Sequence, residues 1–321
     1  MTGTEVPVHA DGPRAGGGSG AAPAPAGLRH FGTRLTAAMH AHGPVCVGID
    51  PHPGLLERWG LGDDVDGLRR FALGVLEAIG GRVAAVKPQS AFFERHGARG
   101  VAVLEEVLAV ARSAGTLTVL DVKRGDIGST MAGYADAYLR DGAPLAADAV
   151  TLSPYLGFES LRPALDLARQ TGRGVFVLAL TSNPEGAAVQ HARTAGGSVA
   201  GQMVAGAAEE NARVLAEAGP DGSGADGVAA LGPVGLVVGA TTGSAVHELG
   251  LDLAAVRGPL LAPGVGAQGA GAAELAEVFG DARTQVLAAT SRGVLRAGPE
   301  PHALRDALDA AVDAARAALT L

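Results

Sequence analysis

The chain carries a single cysteine, Cys46, so no internal disulfide and no cysteine-rich metal site can form. In an apolar run, that cysteine reads as a small buried core residue. Aromatic residues make up only 3% of the 321 positions, so the core must be built mainly from Ala, Val and Leu. Positive charge is in deficit. A net charge of −8 argues against general nucleic-acid binding and against membrane-surface binding, both of which need basic patches. A few local cations could still hold an anionic small substrate. No uninterrupted apolar run approaches the ~20 residues of a membrane span. The N-terminus has no basic segment followed by an apolar one, so no secretory signal is expected and the cytoplasm is the expected location.

What is present is a globular composition, 47% hydrophobic and 18% charged. Residues 1–27 are rich in Gly, Pro and Ala and cannot build a packed core, so a disordered tail is expected there. From 28 to 321 short apolar runs alternate with longer helical patterns. The expected strands are 44–50, 83–88, 117–122, 147–152, 174–181, 234–240, 259–263 and 285–290. Helical patterns lie near 64–80, 98–115, 129–141, 157–172, 197–218, 244–256, 270–280 and 301–319. Strands alternating with helices imply parallel pairing with right-handed crossovers. Eight such units make a single (β/α)8 TIM barrel the expected fold, ahead of a doubly wound open sheet. Residues 218–233 read as a loop insertion.

The most informative segment is Asp-Val-Lys-Arg-Gly-Asp-Ile-Gly-Ser-Thr, 121–130, directly after an apolar run. Asp121 and Lys123 are two apart, so on a strand they share a face. Asp126 falls where that strand should end. Charges crowded at a strand terminus are costly as structure alone, because buried charges need partners. The bland alternative is a surface ion-pair cluster. Position decides between the two, since barrel chemistry sits at the C-terminal strand ends. Polar residues gather at those ends here: Asp50, Lys87, Asp121 with Lys123, Ser153, Thr181-Ser182-Asn183, Thr241-Thr242, Gly264 to Gly269 and Ser291-Arg292-Gly293. The G-x-G-x-x-G formed by Gly264, Gly266 and Gly269 is in the wrong place for a dinucleotide fingerprint, which belongs after the first strand of its unit. Loops after strands seven and eight of a barrel commonly bind phosphate, so Gln268 and Arg292 become candidate phosphate donors.

These residues resemble the orotidine 5′-phosphate decarboxylase family, from about residue 44 to 296. The D-x-K-x-x-D-I segment is shared with a wider barrel superfamily. Lys87, the Pro-Gly-Val-Gly-Ala-Gln-Gly loop and the Ser-Arg-Gly end are more specific. Val-Lys-Pro-Gln-Ser-Ala-Phe-Phe-Glu and Leu-Thr-Ser-Asn-Pro are similar to the family's longer bacterial branch. The resemblance implies a carboxy-lyase that uses neither metal nor cofactor. It would convert orotidine 5′-phosphate to uridine 5′-phosphate and CO2, the last step of de novo pyrimidine biosynthesis. Lys87, Asp121, Lys123 and Asp126 would form the family's alternating charge array, with Lys123 the proton donor and Asp121 beside the substrate carboxylate. Asp50 and Lys87 would bind ribose hydroxyls. Ser182 would contact the pyrimidine, with Thr181 and Asn183 as alternatives. Gln268, Arg292 and Gly293 would hold the phosphate. A homodimer is implied, in which Asp126, Ile127 and Thr130 complete the partner's site.

The residues also speak to the chemistry directly. Two carboxylates near Lys123 favour its charged form, which suits an acid and disfavours a Schiff-base nucleophile. A Mg2+-dependent cousin acting on a sugar phosphate would need carboxylate ligands, yet the second strand ends in the cation Lys87. A non-catalytic phosphate binder would have no use for the charge array. His52, His96 and His247 read as surface or packing residues, and Phe92 and Phe93 as packing. Trp59 is placed in a loop, Glu94 and Arg95 read as a solvated pair, and Arg124 should point away from the array by alternation.

Overall fold

The computed structural model describes residues 29–217, 230–265 and 270–319. The expected tail 1–27, residues 218–229 of the insertion, and Gly266, Gln268 and Gly269 lie outside the described residues.

Eight parallel strands close a barrel: β1 Val45–Ile49, β2 Ala85–Pro88, β3 Leu117–Arg124, β4 Ala149–Leu152, β5 Gly174–Leu180, β6 Val234–Val238, β7 Leu260–Pro263 and β8 Val286–Thr290. Each pairs with its sequence neighbours, and β8 returns to β1 with Val45 opposite Ala288. The strands are buried on both faces, so they read as continuous apolar runs. The expected TIM barrel is therefore the fold. Among the described residues no helix is long and apolar enough to cross a membrane.

Residue parity fixes what the barrel encloses. One hydrophobic cluster takes residues from all eight strands, including Cys46, Ala85, Val119, Ala149, Phe176, Val237, Leu261 and Leu287, and so occupies the interior. The intervening positions Val47, Val86, Leu120, Val150, Val177 and Leu236 pack outward against the helices. Two residues further along β1 to β4 the inward parity falls on Gly48, Lys87, Asp121 and Thr151, so on that side the interior changes from apolar to polar towards the C-terminal ends. Cys46 is a buried strand residue, and burial pushes its thiol up to about 12.

The opposite end is closed by helix Phe31–His42, which the sequence patterns above do not pick out. Its Phe31 and Leu35 join the interior cluster, and Phe31 meets Phe176 edge to face at 5.9 Å. Arg34 anchors the helix through Asp148 at 2.5 Å. The pattern expected over 244–256 is not one helix. It breaks into Ala245–Glu248 and a short 3-10 turn, Ala254–Val256. Gly250 turns left-handed between them (φ +67), and the Asp252 carboxylate accepts the Ala255 N–H to start the second piece.

Trp59 lies in a loop, as expected, directly after helix Pro53–Arg58; there it packs on Phe71 at 4.4 Å and donates its indole N–H to Leu295 O at 2.9 Å. One further expectation is corrected. Glu94 and Arg95 do not pair with each other. Glu94 accepts from Arg124 at 2.6 Å and Arg95 donates to Asp63 at 2.5 Å, because Glu94 and Arg95 straddle the end of the turn Ala91–Glu94.

Candidate active site

A cavity of about 1610 Å3 opens at the C-terminal ends of the strands and reaches the alanine face of helix Pro301–Leu319. Asp50, His52, Lys87, Asp121, Lys123, Thr151, Ser182, Arg292 and Gly293 line it. Among the described residues the expected site residues of one chain thus converge, apart from the group after β3; Gln268 lies outside them.

At the centre is one buried carboxylate held by three donors. Lys87 Nζ reaches Asp121 Oδ2 at 3.0 Å and Lys123 Nζ reaches Asp121 Oδ1 at 2.5 Å. The Thr151 hydroxyl donates to the same Oδ1 at 2.8 Å. Burial alone would raise the Asp121 carboxyl, but the Lys87 and Lys123 charges and their hydrogen bonds outweigh it and hold it down at about 2. For Lys87 burial alone would lower the ammonium; Asp121 and Asp50 outweigh that and hold it above its ordinary range. Both groups therefore stay charged at neutral pH in the free chain.

Asp50 follows β1 with its Oδ1 buried and without a hydrogen-bond partner among the described residues. Gly48 keeps that corner open: a Cβ there would lie 2.8 Å from Asp50 Oδ2 and 2.9 Å from Ser291 Cβ. After β5, Thr181 donates its hydroxyl to Asn183 Oδ1 at 2.7 Å and accepts from Gln190 Nε2 at 2.7 Å. Asn183 in turn donates to Glu185 at 3.1 Å. Of the three residues in that turn, Ser182 lines the cavity wall with no hydrogen bond from its hydroxyl among the described residues. Arg292 and Gly293 open the short helix that follows β8, exposed at the mouth. Gly264 leaves β7 with φ +91, and the loop returns through a bridge between Val265 and Ala270.

Asp126, Ile127 and Thr130 do not line the cavity of their own chain. Asp126 accepts the Ile127 N–H at 2.8 Å, and Ile127 is 61% exposed. Arg124 points away from the cluster, to Glu94 and over the Tyr134 ring. Among the described residues no group of three His, Cys, Asp or Glu side chains could hold a metal ion. Thr151 is a site residue that sequence reasoning missed. Its signal was parity, two residues after inward Ala149 on β4.

A barrel with its polar residues at one end and two ammonium groups on one buried carboxylate defines the class: a TIM-barrel enzyme built to act on an anion. Comparison with known proteins narrows this. Residues 43–307 match the family described as orotidine 5′-phosphate decarboxylase / HUMPS. The chain is 61% identical over 293 residues to an orotidine 5′-phosphate decarboxylase of Salinispora arenicola, covering 91% of this chain and 99% of the relative. It is 56% identical over 295 residues to one of Streptomyces coelicolor, covering 91% and 99%. A crystal structure of a Streptomyces avermitilis protein, described as an orotidine 5′-phosphate decarboxylase, superposes with a TM-score of 0.82 at 56% identity, covering 92% and 97%. The chain belongs to the orotidine 5′-phosphate decarboxylase / HUMPS family.

Proposed function

We propose that this chain decarboxylates orotidine 5′-phosphate to uridine 5′-phosphate and CO2, completing pyrimidine nucleotide synthesis without a metal or cofactor. The observation that carries this is the clamp of Lys87 and Lys123 on buried Asp121 at the cavity wall. The bond between the ring carbon and the substrate carboxylate breaks, CO2 leaves and the electron pair stays on that carbon. The Lys123 ammonium stands by it, stabilises the developing charge and donates its proton to form the C–H bond, then regains a proton from solvent. Asp121, ionised, faces the substrate carboxylate, and the repulsion between them ends as CO2 departs.

The other roles follow from position. Asp50 and Lys87 bind the ribose hydroxyls and Ser182 the pyrimidine. Gln268, Arg292 and Gly293 hold the phosphate, a remote handle whose binding energy keeps the ring over Lys123. Lys87 puts a cation where an enediolate-stabilising metal would need a carboxylate. The enzyme works as a homodimer in which Asp126, Ile127 and Thr130 complete the partner's site. In support, Ile127, Tyr155 and Leu156 are 61%, 78% and 54% exposed on the loops after β3 and β4. Sedimentation of a monomer at working concentration would overturn the dimer. A cytoplasmic location fits the lone, buried Cys46, and cell fractionation tests it.

The central test is loss of orotidine 5′-phosphate ultraviolet absorbance in excess chelator, with the Lys123→Ala variant beside the native chain. Fast loss is expected from the native chain and a fall of about 10²–10⁴-fold from the variant, the usual worth of a positioned acid. No turnover by the native chain would refute the substrate. Turnover retained by Lys123→Ala would refute the role of the lysine.

A further inference from the structure

We propose that Thr151 is a positioning residue of the charge cluster: its hydroxyl ties the Asp121 carboxylate to the backbone of Lys123 and so sets the direction in which the Lys123 ammonium enters the cavity. The kinetic consequence rests on the decarboxylase reading. The geometric one does not.

The register of β3 against β4 is the starting point. Leu120 pairs with Val150, and the next pair is Arg124 with Leu152. Asp121, Val122 and Lys123 therefore face the single residue Thr151, a bulge that leaves β3 residues without ladder partners on β4. Within it Lys123 adopts φ +45, a left-handed conformation that costs a residue with a Cβ on the order of 1 kcal/mol. Such a conformation persists only where its surroundings hold it. Here the Lys123 N–H, which the bulge takes out of the ladder, donates to Thr151 Oγ1 at 3.0 Å.

That bond fixes the hydroxyl's own proton. An oxygen that accepts from the Lys123 N–H must donate elsewhere, and the acceptor in reach is Asp121 Oδ1 at 2.8 Å. The same Oδ1 receives Lys123 Nζ. The ring is closed: Lys123 backbone to Thr151, Thr151 to Asp121, Asp121 to the Lys123 ammonium. Thr151 is 1% exposed, so water does not replace its hydroxyl cheaply. Valine, of nearly the same shape, would strand the Lys123 N–H and remove one of three donors from the carboxylate.

The test compares Thr151→Val and Thr151→Ser with the native chain. We expect Thr151→Val to lower kcat on the order of 10²-fold, the cost of a misplaced reacting group, with KM within about 3-fold. Its acid limb should move to higher pH, because a carboxylate that loses a hydrogen-bond donor gains a proton more easily. Thr151→Ser should restore kcat to within about 3-fold, since it keeps the hydroxyl. If Thr151→Val does not fold by circular dichroism, Thr151→Ala takes its place and is read the same way. Native kcat and acid limb in the hydroxyl-free variant would overturn the proposal. So would a fall in Thr151→Ser as deep as in Thr151→Val, which would assign the effect to the methyl group. A second readout needs no substrate: carbon-13 titration of the Asp121 carboxyl, assigned with Asp121→Asn, should show a higher midpoint in Thr151→Val. An unchanged midpoint would also overturn the proposal. A native chain that fails to turn over orotidine 5′-phosphate would sink the substrate assignment alone, and the carboxyl titration would still decide Thr151.

Discussion

Replacing Asp121 with asparagine should reverse how the stability of this barrel depends on pH on the alkaline side. In the native chain Lys87 is buried, its side chain 10% exposed, and its charge is held by Asp121 at 3.0 Å and by the field of Asp50. Asp121 is depressed from 3.8 to about 2, which corresponds to roughly 2 kcal/mol of stability. That stability is fully present above the unfolded value and is lost as pH falls through the folded one. Lys87 is raised above 10.5, so its share is present below that pH and lost only above it. Between pH ~7 and ~10 neither group binds a different number of protons in the two states, so neither contributes a slope. The asparagine variant keeps the shape and loses the charge. Burial is the largest influence on Lys87, and the pulls of Asp50 and Cys46 that remain are each smaller, so its shift should turn downward. The unfolded chain then binds more protons than the folded one, and stability rises with pH by up to about 1.4 kcal/mol per pH unit. Near pH ~7 the variant should be less stable by about 3–5 kcal/mol, the cost of a buried charge left without its partner. Urea unfolding of both chains, followed by circular dichroism at pH ~7, ~8.5 and ~10, measures the difference between them and cancels titrations common to both. A deficit that stays constant across that range would mean that Lys87 keeps its charge in the variant, and the reasoning would be wrong.

Two other substitutions separate the floor of the barrel from its mouth. Leu35→Ala, at a fully buried position of the closing helix, should cost about 2–5 kcal/mol and lower the thermal midpoint, and an unchanged midpoint would show that the helix does not plug the barrel. Gly48→Ala would place a Cβ 2.8 Å from Asp50 Oδ2, displace that carboxylate and raise KM for orotidine 5′-phosphate by roughly 10-fold or more, the loss of one charged contact. A native KM would show that the Asp50 corner is not used.

The eight strands were legible because each is buried on both faces, so it reads as an uninterrupted apolar run, and the observed bounds fall within about two residues of the expected ones. Helix Phe31–His42 was not legible. Its apolar residues are spaced widely among Gly, Ala and Thr, and its Thr33 N–H is capped by the His30 ring and not by a usual cap residue. The segment 244–256 carried a helical pattern, yet its glycine at 250 and the acid at 252 stop and restart the chain. Asp121 and Lys123 were legible because they share one strand end, and Lys87 because it closes another. Glu94 and Arg95 misled because adjacency in sequence is not adjacency in space: each finds its partner about thirty residues away.

The sequence by itself determined the number and order of the strands, the end of the barrel at which polar groups collect and the identity of the charges placed there. Those are properties of periodicity and residue type, which act locally. Only the tertiary structure decided that Lys87 and Lys123 share one carboxylate, that helix Phe31–His42 closes the floor, and that a threonine on β4 holds the kink in β3. Each of these depends on the register between separate strands and on what space remains when the barrel closes, and neither quantity is carried by any single segment of the chain.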